Sequence, residues 1–171
     1  MTETSVFDWH QLFLYQDDGK IVWKEKRSQG TKAGDVAGSL TSKGYRRVEV
    51  SICGKSYSIS IHRIIWEMFN GPIPSGAQVD HIDGDRGNNR VQNLRLANPN
   101  QNAWNRGISK ANTSGYKGVS FEKSSGKWLA QIRTNGIARK IGRFMTKEDA
   151  AQAYREADIQ CRGNFSACQR Y

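Results

Sequence analysis

The chain has 171 residues, 26 Lys and Arg against 16 Asp and Glu, a formal net charge of +10 and a pI of about 9.7. That length fits one ordinary domain or two very small ones and excludes a large catalytic scaffold. The positive excess points to a polyanionic partner, nucleic acid first, because each Lys or Arg that meets a phosphate releases condensed counterions. Five Trp, six Tyr and six Phe supply enough apolar bulk for real cores, which argues against a disordered polyelectrolyte. No apolar run reaches bilayer length, and the opening MTETSVFDWH lacks the pattern of a signal peptide. Cys53, Cys161 and Cys168 form no CxxC pair and leave an odd count, so neither a disulfide framework nor a cysteine zinc site is expected. A reducing, cytoplasmic setting follows.

In chain order, Leu12 to Trp23 places apolar residues around the turn signal Asp17-Asp18-Gly19, which predicts a short hairpin with Ile21 and Trp23 turned inward. Lys24 to Lys43, rich in Gly, Ser and Lys, reads as a loop or basic arm, and Tyr45 to Val50 and Ser56 to Ile61 read as strands. Ile61, Ile64, Ile65, Met68 and Phe69 have helical spacing, closed by Asn70-Gly71-Pro72. The apolar face of that helix is core, and His62 at its start reads as a satisfied polar or capping residue.

The segment Val79-Asp80-His81-Ile82-Asp83-Gly84-Asp85-Arg86-Gly87-Asn88-Asn89 carries the chemistry. Asp80-His81 stands at a strand end, Asp83-Gly84 turns, Gln92 to Leu96 returns as a strand, and Asn98-Pro99 reads as an N-cap followed by proline at the first helical position. Strand, loop, strand and helix would bring a carboxylate, an imidazole and a side-chain amide together. Such a set suits phosphodiester hydrolysis: Asp80 and Asn102 offer hard oxygen ligands to a divalent ion, and His81 can take a proton from water.

With its Asp-His, its Asn-Leu-Arg strand and a further Asn on the helix, this stretch resembles the HNH endonucleases, particularly the homing type found in phages. The resemblance extends upstream through the Gly-Lys-Ile-Val-Trp hairpin, Gly44-Tyr45-Arg46 and His62-Arg63-Ile64-Ile65, and covers roughly residues 11 to 106. It implies that His81 is the general base, that Asp80 and Asn102 bind one Mg2+ or Mn2+ ion, and that Asn93 braces the motif through hydrogen bonds. Asn98, Asn100 and Asn105 are rivals for the place of Asn102, which the nine-residue spacing from Asn93 favours. A structural zinc, present in the Cys-rich branch of the family, is not expected.

After Gly107 the segment Ile-Ser-Lys-Ala-Asn-Thr-Ser-Gly reads as a short flexible linker. Tyr116 to Glu122, Lys127 to Thr134 and Ile137 to Phe144 then read as three strands, the last two joined by Asn135-Gly136, a strong hairpin signal. Thr146 caps a helix whose stripe Ala150, Ala153, Tyr154, Ala157 and Cys161 should pack on the sheet. On the second strand Trp128, Ala130 and Ile132 take the core face, leaving Lys127, Leu129, Gln131 and Arg133 outward. From Ile108 to Met145 eight basic residues, Lys110, Lys117, Lys123, Lys127, Arg133, Arg139, Lys140 and Arg143, stand against the single acid Glu122. A basic two-stranded ribbon fits the DNA major groove. Tyr-Lys-Gly-Val, Gly-Lys-Trp-Leu-Ala-Gln-Ile-Arg and Thr-x-Glu-Asp-Ala-Ala-x-Ala-Tyr together resemble the Apetala-type, or ethylene-response-factor, DNA-binding domain. That family reads the major groove with its sheet, which implies Gln131, Arg133 and Lys140 as contacts. Ser120 and Glu122 stand where the plant domains usually carry arginines, so the plant target does not carry over.

The sequence therefore predicts an α+β chain: a ββα-metal nuclease domain over residues 1–106, a linker over 107–113, and a three-stranded antiparallel sheet packed on one helix over 114–171. The expected activity is metal-dependent cleavage of double-stranded DNA at a recognised site, with DNA contacts from Lys127, Gln131, Arg133, Arg139, Lys140 and Arg143. No membrane and no obligate protein partner is expected. A non-catalytic DNA-binding regulator is the alternative, and an RNA nuclease a third reading that the ribbon disfavours, since the A-form major groove is too narrow for side chains.

Overall fold

A computed structural model describes residues 7–27, 30–109, 111–134 and 136–170. Of the residues singled out above, Lys110 and Asn135 lie outside the described residues. The chain is α+β and divides into two compact units, Met1–Pro99 and Asn100–Tyr171. No helix among the described residues is long and apolar enough to cross a membrane.

In the first unit the predicted hairpin is β1 (Phe13–Tyr15) and β2 (Ile21–Trp23), paired antiparallel with Phe13 opposite Trp23. All three residues of β2 are buried, so the strand is wrapped on both faces. Its turn passes through Gly19 at φ +85°, where a Cβ would lie 2.6 Å from the Arg90 nitrogen and 2.8 Å from the Asn89 carbonyl carbon. Only glycine fits there, on both conformational and steric grounds.

A second sheet has the order β3-β4-β5, formed by Ser39–Leu40, Arg46–Ile52 and Lys55–Ser60. The two residues of β3 fall in the stretch expected to be loop and pair with Arg46 and Arg47. On β4 Val48 and Val50 turn inward while their neighbours face water, the alternation of a strand covered on one side. Helix α1 (Ile61–Asn70) runs straight on from β5 and buries Ile61, Ile64 and Ile65 completely among Trp9, Phe13, Ile21 and Val48. Each such side chain contributes about 1.5–3 kcal/mol. Against this core lie β6 (Gln78–His81) and β7 (Leu94–Ala97), paired antiparallel.

The second unit begins within α2 (Pro99–Trp104) and therefore ahead of the linker expected at 107–113. The Lys117 ammonium donates to the carbonyls of Trp104 at 2.6 Å and Arg106 at 2.8 Å, and the Arg162 guanidinium sits 5.4 Å from the Trp104 ring centre. Ser114, expected at the edge of a flexible segment, is buried and donates to the Val119 carbonyl at 2.8 Å, while the Asn112 amide donates to that of Tyr116. This stretch is tied down by side-chain turns of the kind Ser and Asn form with nearby backbone.

Strands β8 (Val119–Glu122), β9 (Lys127–Thr134) and β10 (Ile137–Phe144) form the antiparallel sheet β10-β9-β8, and α3 (Lys147–Arg162) packs on it with Thr146 accepting from the Asp149 N–H. β8 starts at Val119 rather than Tyr116, after Gly118 at φ +70°, where a Cβ would fall 2.0 Å from the Tyr154 ring. The core is Val119, Ala130, Ile132, Ala150, Ala151 and Tyr154.

Two details of patterning differ from expectation. Leu129, assigned outward, is only 9% exposed. The buried stripe of α3 runs Ala150, Ala151, Tyr154, Asp158 and Arg162, while Cys161 is exposed. Helical spacing cannot distinguish the stripe through Ala157 and Cys161 from the one beside it when the latter holds a charge pair that neutralises itself. The Arg162 guanidinium lies 2.6 Å from the Asp158 carboxylate, Ser166 donates to that carboxylate, and Arg162 also donates to the Arg133 carbonyl at 2.9 Å. Burial and the nearby Asp158 push the Tyr154 phenol well above its ordinary pKa.

Candidate active site

β6 and β7 set the geometry. Their register puts Asp80 opposite Arg95 and His81 opposite Leu94. Arg95 reaches across and donates from Nε and Nη2 to the same Asp80 oxygen at 3.0 and 2.9 Å, in a pair whose side chains are 14% and 7% exposed. A carboxylate taken out of water needs such a partner, and the guanidinium fixes its orientation as well as its charge.

Between the strands, Asp83 and Asn93 organise the loop. The Asn93 amide donates to the Asp83 carboxylate at 3.0 Å and to the Asn88 carbonyl at 2.7 Å, and its own oxygen accepts from the Asp83 N–H at 3.1 Å. Asn88 donates to the second Asp83 oxygen at 2.7 Å. Partial burial alone would raise the Asp83 pKa, but these amides and the Asp85 N–H outweigh it and hold the carboxyl below its ordinary value. Asn93 makes three of these hydrogen bonds itself.

His81 is 4% exposed, and its Nε2 lies 2.9 Å from Oδ1 of the equally buried Asn89. An amide oxygen only accepts, so in this contact Nε2 is the donor and carries the hydrogen. Behind it stands His62, its ring centre 5.0 Å away in an edge-on arrangement, and Tyr45 lies 5.4 Å from His62 and 6.1 Å from His81. The Arg86 guanidinium covers the Tyr45 ring at 4.8 Å and donates to the Lys43 carbonyl at 2.8 Å.

His62 is not the satisfied or capping residue expected from sequence. It is 8% exposed, Ser60 is the N-cap position of α1, and His62 Nδ1 is buried with no hydrogen-bond partner among the described residues. Burial first, and then the neighbouring His81, lower its pKa to about 3. It is a neutral ring at any ordinary pH.

Asn102 lies on α2, half-buried, and Asn105 is buried at that helix's end. Among the described residues no group of three or more His, Cys, Asp or Glu side chains converges as a metal site. The set anticipated from the motif, one carboxylate and one amide, is smaller than such a cluster and made of hard oxygens, which suit Mg2+ or Mn2+.

In the C-terminal sheet the register decides which expected DNA contacts share a face. Gln131 pairs with Lys140, Arg133 with Ala138, Leu129 with Arg143 and Lys127 with Glu122. A bulge between Lys140 and Gly142 resets the alternation, so Lys140 and Arg143 stand on the same side as Lys127, Gln131 and Arg133. Arg139 is the exception: it pairs with Ile132 and so stands on the side facing α3, though exposed. Lys117, counted among the basic residues of the surface, is occupied with the end of α2.

Sequence reasoning missed Arg95, Asn89 and the Tyr45–His62 pair. Arg95 could have been found by laying the two strands antiparallel across the loop, since that register sets it opposite Asp80. Nothing in the sequence marks Asn89 apart from Asn88, and only the folded loop turns it inward.

Residues 60–104 match the family model of the HNH endonucleases. Protein 3.8 of Escherichia phage T7 is 47% identical over 75 residues, 44% of this chain and 62% of that protein. The HNH endonuclease L560 of Acanthamoeba polyphaga mimivirus is 39% identical over 110 residues, 64% of this chain and 56% of its own length. The chain thus spans less than two thirds of either relative. A solved structure concerning DNA binding and cleavage by the HNH homing endonuclease I-HmuI aligns over 93% of this chain and 91% of its own at TM-score 0.45 and 18% identity, a likeness too slight to argue from.

Proposed function

We propose that this chain is a metal-dependent DNA endonuclease of the HNH homing type, in which the N-terminal unit hydrolyses a phosphodiester and the C-terminal sheet, an Apetala-type module, recognises the site. The observation that carries the reading is the buried His81, held at Nε2 by Asn89 beside an Asp80 that Arg95 orients, inside the segment that matches the HNH model.

His81 takes a proton from a water that attacks the phosphorus. The bond from phosphorus to the 3′ oxygen breaks, leaving a 5′ phosphate and a 3′ oxygen that takes a proton from solvent water. Asn89 keeps the ring in the required tautomer, as outer hydrogen bonds do for catalytic histidines. Asn93 keeps the loop that carries Asn89 closed and touches no substrate. Asp80 would hold one divalent cation, as the motif implies, and Arg95 orients that carboxylate. When bound, such an ion neutralises the crowded phosphate and the departing oxygen.

Lys127, Gln131, Arg133 and Lys140 supply charge and hydrogen bonds to double-stranded DNA. The similarity to phage and giant-virus proteins supports a mobile-element or phage setting, with action in the host cytoplasm. Supercoiled plasmid incubated with purified protein, with and without Mg2+ or Mn2+, tests the reading. Metal-dependent conversion to nicked or linear product is expected. Tight binding with no cleavage under either metal would instead favour a DNA-binding regulator.

A further inference from the structure

One ion pair stands on the outward face of the C-terminal sheet. Arg143 donates from Nε to one Glu122 oxygen at 2.5 Å and from Nη2 to the other at 3.0 Å, two parallel bonds that span from β10 across β9 to β8. Ser125 donates at 2.6 Å to the same Glu122 oxygen that accepts from Arg143 Nε, and so fixes the carboxylate as well. Leu129, directly opposite Arg143 in register, is only 9% exposed, so this part of the face is packed.

Lys127, Arg133 and Lys140 on the same face can each neutralise a phosphate. Arg143 is different, because Glu122 already cancels its charge and contact with a phosphate would release little counterion. What the pair retains is geometry. With Nε and one Nη2 hydrogen committed to Glu122, both Nη1 hydrogens and the second Nη2 hydrogen point from the outer end of the guanidinium, the fork that matches O6 and N7 of guanine in the major groove. A carboxylate on a DNA-facing surface is otherwise repelled by phosphates, and its presence makes sense where it aims an arginine. The Arg143 and Ser125 hydrogen bonds hold the Glu122 pKa to about 2, so the pair stays ionised at neutral pH.

We propose that Glu122 and Arg143 act as one base-reading unit that selects guanine at a single position of the bound DNA. This rests on the reading of the sheet as the DNA-binding face. The test is selection from a randomised duplex library by the full chain in EDTA, followed by sequencing of the bound fraction, for the parent and for Arg143→Ala, Arg143→Lys, Glu122→Gln and Lys140→Ala. The parent should prefer guanine at one position by about ten- to a hundredfold. Both Arg143 variants should lose that preference, Glu122→Gln should weaken it several-fold, and Arg143→Lys should leave the salt dependence of binding near the parent's. Arg143→Lys keeps the charge and loses only the fork, so its failure is not one of charge. The proposal is overturned if every variant returns the parent's motif, if Glu122→Gln keeps the full preference, or if Arg143→Ala weakens all sequences equally with a shallower salt slope. A parent that enriches no motif, together with unchanged binding by Lys140→Ala, would overturn the reading of the sheet itself.

Discussion

In the N-terminal unit the groups assigned to chemistry are hidden: Asp80, His81 and Asn89 are 6%, 4% and 4% exposed. In the C-terminal unit the groups assigned to recognition, Lys127, Gln131, Arg133 and Lys140, all stand exposed on one sheet face, and the buried charges there, Asp158 and Arg162, serve the packing beneath. The difference teaches how each task uses water. A proton acceptor needs a fixed tautomer and fixed partners, which burial provides. A phosphate-binding surface gains from released counterions and must stay wet.

Four experiments would break or sharpen that contrast. The largest effect belongs to His81→Ala, which should lower plasmid nicking by about 10² to 10⁴-fold while leaving DNA affinity near normal. Equal loss of cleavage and binding would erase the division of labour. Next, Asp158→Ala strands the Arg162 charge inside the C-terminal unit and should cost about 3–5 kcal/mol in urea unfolding, the usual penalty for half a buried pair. A change under 1 kcal/mol, on the order of an exposed pair, would mean that the interior there is wet.

His62 gives a smaller and pH-dependent signal. Its folded pKa, lowered to about 3, lies below the ordinary value of 6.5, so the unfolded chain binds the extra proton between those values. The stability it contributes is complete above pH 6.5 and is lost as pH falls towards 3, by at most about 1.4 kcal/mol per pH unit. His62→Phe should flatten unfolding free energies between pH 6.5 and 5, above the range of most carboxylates. An unchanged slope would mean that the ring is not buried neutral. The smallest effect is expected at the turn after β8, where Lys123→Ala should weaken all DNA sequences alike and reduce the salt slope by about 0.9. Arg133→Ala serves as its foil, with a cost of about 1–3 kcal/mol confined to one base pair if that side chain reads guanine.

Much of this was legible in the residues. Asp80-His81 at a strand end, the limits of β9 and β10 and the Thr146 cap all follow from local rules of alternation, turn chemistry and capping. What escaped was set by tertiary neighbours. His62 lies on the apolar side of an amphipathic helix, and nothing along the chain tells that Tyr45 and His81 close over it. The α3 stripe was displaced because Asp158 and Arg162 look like solvent-facing charges until each is seen to bury the other. Period-two counting along β10 sets Arg139 and Arg143 on one face, and the bulge between Lys140 and Gly142 carries Arg143 to the face of Lys140 instead.

The turn at Gly19 has a consequence for how lineages of this chain can drift. That hairpin holds no catalytic group, yet its backbone rests on Asn89 and Arg90 with no space for even a methyl group. Asn89 is in turn the partner of His81. A single added carbon at position 19 would push on the mould in which the imidazole is set, far along the chain from the Asp-His pair. Gly19 therefore works as a remote fuse: a copy that has lost it can keep every residue of the motif and still be silent, and a search for intact copies that scores only the motif would count it as alive.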